Sequence, residues 1–239
     1  MSAIGHYLEE EGLATVAISL IRPQTENTKP PRALWVPFEL GRPFGPPSAA
    51  AFQKRVVLAA LRMLEGAEGP IIIKDFPDDD PRATQDPTWR PPFTPAAVSD
   101  SLAARLEAEI LRLQGAHERW VAQHPRTTVG LSGLPIGDCA RYVADWLRGK
   151  TPPSPREGFS APLILRFAVD DVKAYCLEAA AAGAATPSSR QLGDWLWNES
   201  ATGSAIHVLR EVLHASDDDR LKLIVANFMV PATRVRSTG

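Results

Sequence analysis

The apolar run from Leu13 to Ile21 (LATVAISLI) restricts the fold of this chain more than any other segment. It contains no charged residue and is rich in β-branched side chains, a composition typical of a strand buried on both faces in a parallel sheet. Parallel strands need crossover connections, which are usually helices. The run therefore favours an α/β fold in which helices and strands alternate.

Residues 1–75 show this alternation. We predict helices over residues 3–11 and 49–64, strands over 13–21, 33–38 and 70–74, and a polar loop over 22–32. Gly12 is expected to end the first helix, and Ser48 to cap the second. The order predicts an open, mostly parallel, Rossmann-like sheet in the N-terminal part of the chain.

Clusters of proline residues divide the chain into segments. The 22 prolines concentrate around residues 23–47, 70–95, 125–135 and 152–162, and such clusters mark loops between elements. Residues 76–97 are acidic and proline-rich and are interpreted as a linker loop. Its aromatic residues Phe76, Trp89 and Phe93 are expected to pin the linker to a surface.

The second half of the chain is predicted to be mainly helical. We expect residues 98–150 to complete the α/β core, with a helix over 96–123, a strand over 127–131 and a helix over 136–147. Residues 160–239 are expected to form a helical C-terminal region, with helices over 169–182, 188–197, 201–214 and 217–229. Ser188 is a predicted N-cap, and Ser216 with Asp219 is a near capping box.

Composition excludes several classes of protein. The net charge is -2 and no basic stripe is present, which argues against a nucleic-acid partner. No apolar run reaches the roughly 18 residues of a membrane span, and the N-terminus lacks the pattern of a signal peptide. Two cysteines argue against a disulfide framework. We therefore predict a cytoplasmic protein with no membrane association.

Two loops carry the predicted ligand site. Each follows a predicted parallel strand, so both are expected at the carboxyl edge of the sheet, where open α/β folds bind ligands. Arginine offers a planar fork for a carboxylate, and glycine permits close backbone approach. The predicted substrate-binding residues are Arg22, Thr25, Glu26, Glu39, Gly41, Arg42 and Gly45. The alternative interpretation is that the arginines and glutamates pair with one another and the prolines only shape the loops.

The other motifs in the sequence are weaker indications of function. Cys139 and Cys176 are interpreted as small buried hydrophobes rather than redox groups. The histidines have two-turn rather than adjacent-turn spacing, so we predict no metal site. Residues 130–134 (GLSGL) are a near miss to a nucleophile elbow, and residues 41–47 (GRPFGPP) match neither a P-loop nor a dinucleotide fingerprint. No cofactor is predicted.

Residues 3–75 resemble component B of the glycine, sarcosine, betaine and D-proline reductases, the selenoprotein B family, and a short branch of unassigned role most closely. The resemblance is carried by the segments IGHYLEEEGLATVAISLI, PPRALWVPFELGRPFGPP and AFQKRVVLAALRMLE. Within them, Glu10 to Val16 and Pro37 to Pro43 match the family pattern.

The resemblance implies a reductase fold but transfers no catalytic residue. In the family, a selenocysteine or cysteine lies on the loop before the first helix, a position that here would precede Met1. A sheet that opens on a helix leaves a strand position empty, which favours a late start of the chain. Glu39 stands where the reductases often have histidine, which puts the identity of the substrate in doubt.

Two functions follow from these observations. The first is a thiol-dependent oxidoreductase of the selenoprotein B type, or its redox-inactive relative, acting on a small carboxylate-bearing molecule. The second is a non-catalytic ligand-binding or scaffold subunit of the same fold. The expected partners are a small-molecule ligand and a protein partner or a second copy of the chain.

Overall fold

The computed structural model describes residues 2–66, 70–81, 85–91 and 101–235, and it divides the chain into two compact units. Unit 1 comprises Met1–Thr84 and unit 2 comprises Gln85–Gly239. A small parallel sheet lies in unit 1, and the described part of unit 2 is helical. The α/β class predicted from the sequence is therefore confirmed in its coarse form.

Unit 1 is a three-stranded sheet with its connecting helices. Its elements are α1 (Ser2–Glu10), β1 (Ala17–Ser19), α2 (Arg22–Thr28), β2 (Arg32–Trp35), α3 (Ala50–Arg62) and β3 (Ile72–Asp75). The strands are parallel and lie in the order β1-β2-β3, with Ala33 of β2 paired to Ala17 and Ile73. The carboxyl ends of all three strands consequently share one edge of the sheet.

A compact apolar cluster holds unit 1 together. The central strand β2 buries Leu34, and α3 buries one face against the sheet. The rings of Phe38, Phe52 and Phe76 pack with centroids 5.5–5.9 Å apart. The buried members of this cluster are Leu34, Val36, Phe38, Val56, Ala60, Met63 and Phe76.

Strand β1 is shorter than the apolar run that predicts it. Residues 13–16 lie outside the strand, and Leu13 is 58% exposed. The backbone N–H of Thr15 donates to the Glu9 carboxylate at 2.5 Å, and the Thr15 hydroxyl donates to the same oxygen at 3.0 Å. A side chain of α1 thus takes the donor that a longer strand would use in a ladder.

Residues 22–32, predicted to be a loop, contain helix α2 instead. Pro23 lies in its first turn, where a missing N–H costs nothing and the fixed φ suits a helix. Lys29 ends the helix in a left-handed conformation with φ of 45°. Ser48 was predicted to cap α3 but does not. The N-cap is Ala49, and Ser48 itself has a φ of 61°.

Unit 2 is built around a long central helix. Its helices are α4 (Leu102–Arg112), α5 (Gln114–Gln123), α6 (Ile136–Leu147), α7 (Ala161–Ala180), α8 (Ser189–Asn198), α9 (Ala201–His214) and α10 (Asp219–Ile224), followed by a π-helical turn (Val225–Met229) and a 3-10 turn (Ala232–Arg234). Helix α7 contacts α5, α6, α8 and α9. Ile164, Leu165 and Val172 of α7 are fully buried as a result.

Residues 98–150 differ from the prediction in the elements they pack against and in their secondary structure. Helix α4 packs on α6 and α9 within unit 2, rather than completing the α/β core. Residues 127–131 form a loop without strand structure, and the predicted helix over 96–123 is two helices divided at Leu113. The first residues of that predicted helix, 96–100, lie outside the described residues.

Helix boundaries in the C-terminal region follow the sequence closely. Ser188 caps α8 in a complete capping box with Gln191, as predicted. The predicted box of Ser216 and Asp219 is wrong, because Asp218 accepts the hydrogen bond from the N–H of Arg220 and begins α10. Helix α7 begins at Ala161 rather than 169, because Pro162 lies in its first turn.

The predicted linker belongs partly to each unit. Phe76 joins the apolar cluster of unit 1. Trp89 packs on the core of unit 2, where its indole N–H donates to the Ala180 carbonyl at 3.2 Å. Phe93 lies outside the described residues.

Candidate functional site

A cleft of about 740 Å³ lies beside β1 in unit 1. Residues from β1 and α2 line it together with Leu40 from the segment after β2. The segments that follow β1 and β2 therefore border one cleft. Its polar lining residues are His6, Ser19, Gln24, Thr25 and Thr28, and the remainder is apolar.

The side chain of Arg22 contacts residues at the ends of β2 and β3. Its guanidinium pairs with Asp75 at the end of β3 and lies 5.4 Å from the ring centroid of Trp35 at the end of β2. It also donates to Glu26 at 2.8 Å. Hydrogen bonds to Asp75 and then to Glu26 raise the pKa of Arg22. The two charged predicted residues on α2, Arg22 and Glu26, thus form an ion pair with each other.

Of the predicted site residues with a polar side chain, Thr25 is the one that is buried. It is 3% exposed, and its hydroxyl donates to the Ile21 carbonyl at 2.9 Å. The same hydroxyl is hydrogen-bonded to the Ser19 hydroxyl at the end of β1. Thr25 therefore lines the cleft, and its hydrogen bond to Ser19 also connects α2 to β1.

The four predicted residues after β2 form a tight turn. Glu39 and Arg42 approach to 4.0 Å and both side chains are about half exposed. Gly41 and Gly45 have φ of 89° and 86°, a region that favours glycine. A Cβ on Gly45 would lie 2.5 Å from the Phe52 ring, whereas one on Gly41 would meet nothing within 4 Å. Gly45 therefore serves packing, and Gly41 permits the turn.

Arg32 lies at the opposite end of the sheet. It begins β2 and pairs with Glu9 of α1 at 2.5 Å, so it is not part of the carboxyl edge. The Thr15 backbone N–H, followed by Arg32, holds the pKa of Glu9 below its usual value although burial raises it.

Both cysteines are buried in unit 2, as predicted. Burial raises the pKa of Cys139 to about 11. Burial, followed by the nearby Glu109, raises the pKa of Cys176 well above its usual value. A thiol must be ionised to act as a nucleophile, so neither cysteine suits redox chemistry in this conformation.

Three buried carboxylates organise unit 2, and sequence reasoning missed all of them. Asp171 accepts hydrogen bonds from the backbone N–H groups of Gly130, Leu131 and Ser132 at 2.8–2.9 Å. Glu109 accepts from the N–H groups of Ala201 and Thr202 at the start of α9. The available signal was an acidic residue on an otherwise apolar helix face.

Glu178 is the third buried carboxylate. It accepts from the hydroxyls of Thr127 and Thr128 and from the backbone N–H of Thr128, each at 2.7 Å. It is also 2.9 Å from Nε2 of His117. Burial raises the pKa of Glu178, but these hydrogen bonds outweigh it and leave the pKa lowered.

Asp171 also accounts for the near nucleophile elbow. Ser132 is fully buried, and its hydroxyl donates to Asp171. The Cys139 thiol lies 3.1 Å from the same hydroxyl. Residues 130–134 are therefore a loop anchored to α7 rather than a site for attack on a substrate.

Comparison with known proteins identifies no relative: no protein-family model, no curated protein and no solved structure matches the chain. Among the described residues, no helix is both long and apolar enough to span a membrane. The same residues contain no cluster of three or more histidine, cysteine or acidic side chains arranged for a metal ion.

Proposed function

We propose that this chain is a redox-inactive relative of reductase component B and that unit 1 binds a small carboxylate-bearing molecule. In this proposal the three-stranded sheet is a small example of the open Rossmann-like type, and the protein acts in the cytoplasm. One observation carries the proposal. Leu20 and Ile21 after β1 and Leu40 after β2 line the same cleft, and open α/β folds bind ligands beyond the carboxyl ends of their strands.

Arg22 and Arg42 do not line the cleft, but both belong to the segments that follow β1 and β2, and both can exchange ion-pair partners. The side chains of Arg22, Glu26 and Asp75 are each 40–52% exposed, and exposed ion pairs are weak because water and salt screen them. A ligand carboxylate can therefore replace Glu26 or Asp75 at small cost. Arg42 is 4.0 Å from Glu39, the loosest of the ion pairs in unit 1, and its fork is the more accessible of the two.

Binding rather than reduction is favoured by the state of the thiols. Cys139 and Cys176 belong to unit 2, and burial raises the pKa of both thiols. Residues 1–84 contain no cysteine. The reductase function therefore lacks a nucleophile among the residues of this chain.

The test is titration calorimetry of the full chain with glycine, sarcosine, betaine and D-proline. We expect at least one to bind, and glycinamide, which lacks the carboxylate, to bind at least tenfold more weakly. Arg42→Gln should weaken binding about tenfold, because a charge-assisted hydrogen bond is lost. Arg62→Gln, an exposed arginine at the end of α3, is the matched control and should leave affinity unchanged.

Two results would contradict this proposal. The first is equal binding of glycinamide and glycine, which would remove the role of the carboxylate. The second is consumption of any of the four compounds in the presence of dithiothreitol, abolished by Cys139→Ser or Cys176→Ser. That outcome would replace the binding function with the reductase function.

A further inference from the structure

A second cleft, of about 540 Å³, lies in unit 2 between α4, α5, the start of α6 and α7. Its volume falls in the range of about 300–1,000 Å³ that is typical of small-molecule sites. Its lining combines apolar side chains, among them Ile110, Ile136 and Ala140, with several polar groups. This cleft is independent of the proposed function of unit 1.

Tyr175 supplies a buried polar group without a partner. Its side chain is 3% exposed, yet among the described residues its hydroxyl has no hydrogen bond and is not sealed from solvent. The hydroxyl therefore opens on the cleft that Tyr175 lines. Buried tyrosine hydroxyls normally find a partner, so this hydroxyl is available to a ligand in the cleft.

His117 lies beside Tyr175. Its ring centroid is 4.2 Å from that of Tyr175, and its Nε2 lies 2.9 Å from the Glu178 carboxylate. Glu178 also accepts from Thr127 and Thr128, which fixes the carboxylate against the His117 ring. Within the described residues, Nδ1 of His117 has no hydrogen-bond partner.

The net charge of the cleft is negative. Glu118 lines it and receives only the amide N–H of Gln114, at 2.9 Å, among the described residues. Glu107 is matched by Arg148, and Arg141 is matched by Asp138. The carboxylate of Glu118 is consequently the uncompensated charge of the lining.

We propose that this cleft binds small organic amines. An ammonium group has three N–H donors and no acceptor, and the cleft offers the hydroxyl oxygen of Tyr175 and the Glu118 carboxylate as acceptors. The hydrocarbon body of the amine packs against Ile110 and Ile136. Anions are disfavoured by Glu118.

The test uses benzylamine, benzyl alcohol and benzoate, which share a ring and differ in charge. Titration of the full chain is expected to show benzylamine binding at least tenfold more tightly than benzyl alcohol, with benzoate weakest. Glu118→Gln and Tyr175→Phe should each weaken benzylamine binding about fivefold to tenfold. The NMR signals of the His117 ring should shift only with benzylamine.

Two matched control variants distinguish a loss of binding at the cleft from a general effect of the substitution on the structure. Glu211→Gln removes an exposed glutamate of α9, and Tyr142→Phe removes a hydroxyl that lies 3.3–3.4 Å from the carbonyls of Ala161 and Pro152. Neither should change benzylamine affinity. Equal binding of benzylamine and benzyl alcohol, a preference for benzoate, or an unchanged affinity of Glu118→Gln would each overturn the proposal. Because Glu118 is exposed, its variant folds even if Tyr175→Phe does not.

Discussion

The two units bury apolar surface to different extents. In unit 2, the helices surround α7 and one cluster runs from Leu106 to Val230. In unit 1, the cluster is small and several large apolar side chains lie exposed; Tyr7 is 70% exposed and Leu40 is 74% exposed. Burial of apolar area is the dominant favourable term in folding, at about 25 cal/mol per Å². Unit 2 is therefore expected to be the more stable of the two.

The geometry of each unit explains this contrast. A sheet of three short strands covers its helices on few sides, and the outer strands β1 and β3 each have one edge without a partner among the described residues. A central helix, by contrast, can be covered all round.

The largest effect is expected where two helices of unit 2 meet. A Cβ on Gly203 would overlap the backbone carbonyl of Leu196, and backbone cannot move aside as a side chain can. Gly203→Ala should lower the free energy of unfolding by roughly 4 kcal/mol or more, measured by guanidinium denaturation followed by circular dichroism. Gly115→Ala in α5 is the control; it should be neutral or stabilising by up to about 1 kcal/mol. Equal results for both variants would refute the tight α8–α9 crossing.

A smaller effect is expected in the turn after β2. Gly41→Ala introduces only the strain of a positive φ, about 1 kcal/mol. Gly45→Ala adds a clash with the Phe52 ring, so its cost should be about 2–3 kcal/mol. The measurement is the urea midpoint of unfolding of the full chain, followed by circular dichroism. If Gly41→Ala proved as costly as Gly45→Ala, the packing role of Gly45 would be wrong.

The smallest effect concerns pH and unit 2. The folded-state pKa of Glu178 is lowered from its ordinary value of 4.5, so its stabilisation is present above that value and is lost as pH falls through the folded-state pKa. Glu178→Gln should therefore flatten the fall in melting temperature between about pH 5 and pH 3. Glu157→Gln, an exposed control, should retain the slope of the unmodified protein. An identical slope in Glu178→Gln would show that other groups carry the acid sensitivity.

Local patterns predicted the helices well. The bounds of α6 and α9 match their predicted ranges, and Ser188 begins α8 as its capping box indicates. These features depend on neighbouring residues, through periodicity and the satisfaction of the first N–H groups of a helix. The strand predicted over residues 127–131 failed because its backbone donors go to distant carboxylates rather than to a ladder.

The candidate sites show the same division. The carboxyl edge of unit 1 was predictable because parallel strands place their ends together, and Thr25 and Leu40 border one cleft there. The pairing of Arg22 with Asp75, 53 positions away, was not predictable from spacing. His117, Tyr175 and Glu178 were equally hidden, since the chain brings them together only when α5 packs on α7.

The sequence by itself determined the α/β class, most of the helices, the burial of both cysteines and the edge where unit 1 presents its loops, because periodicity, caps and composition act over a few residues. Only the tertiary structure decided that residues 101–150 belong with the helical unit and that Glu109, Asp171 and Glu178 anchor distant backbone. The physical reason is that a buried carboxylate must find donors wherever the packed chain supplies them. Those donors lie about 40 to 93 positions away in sequence.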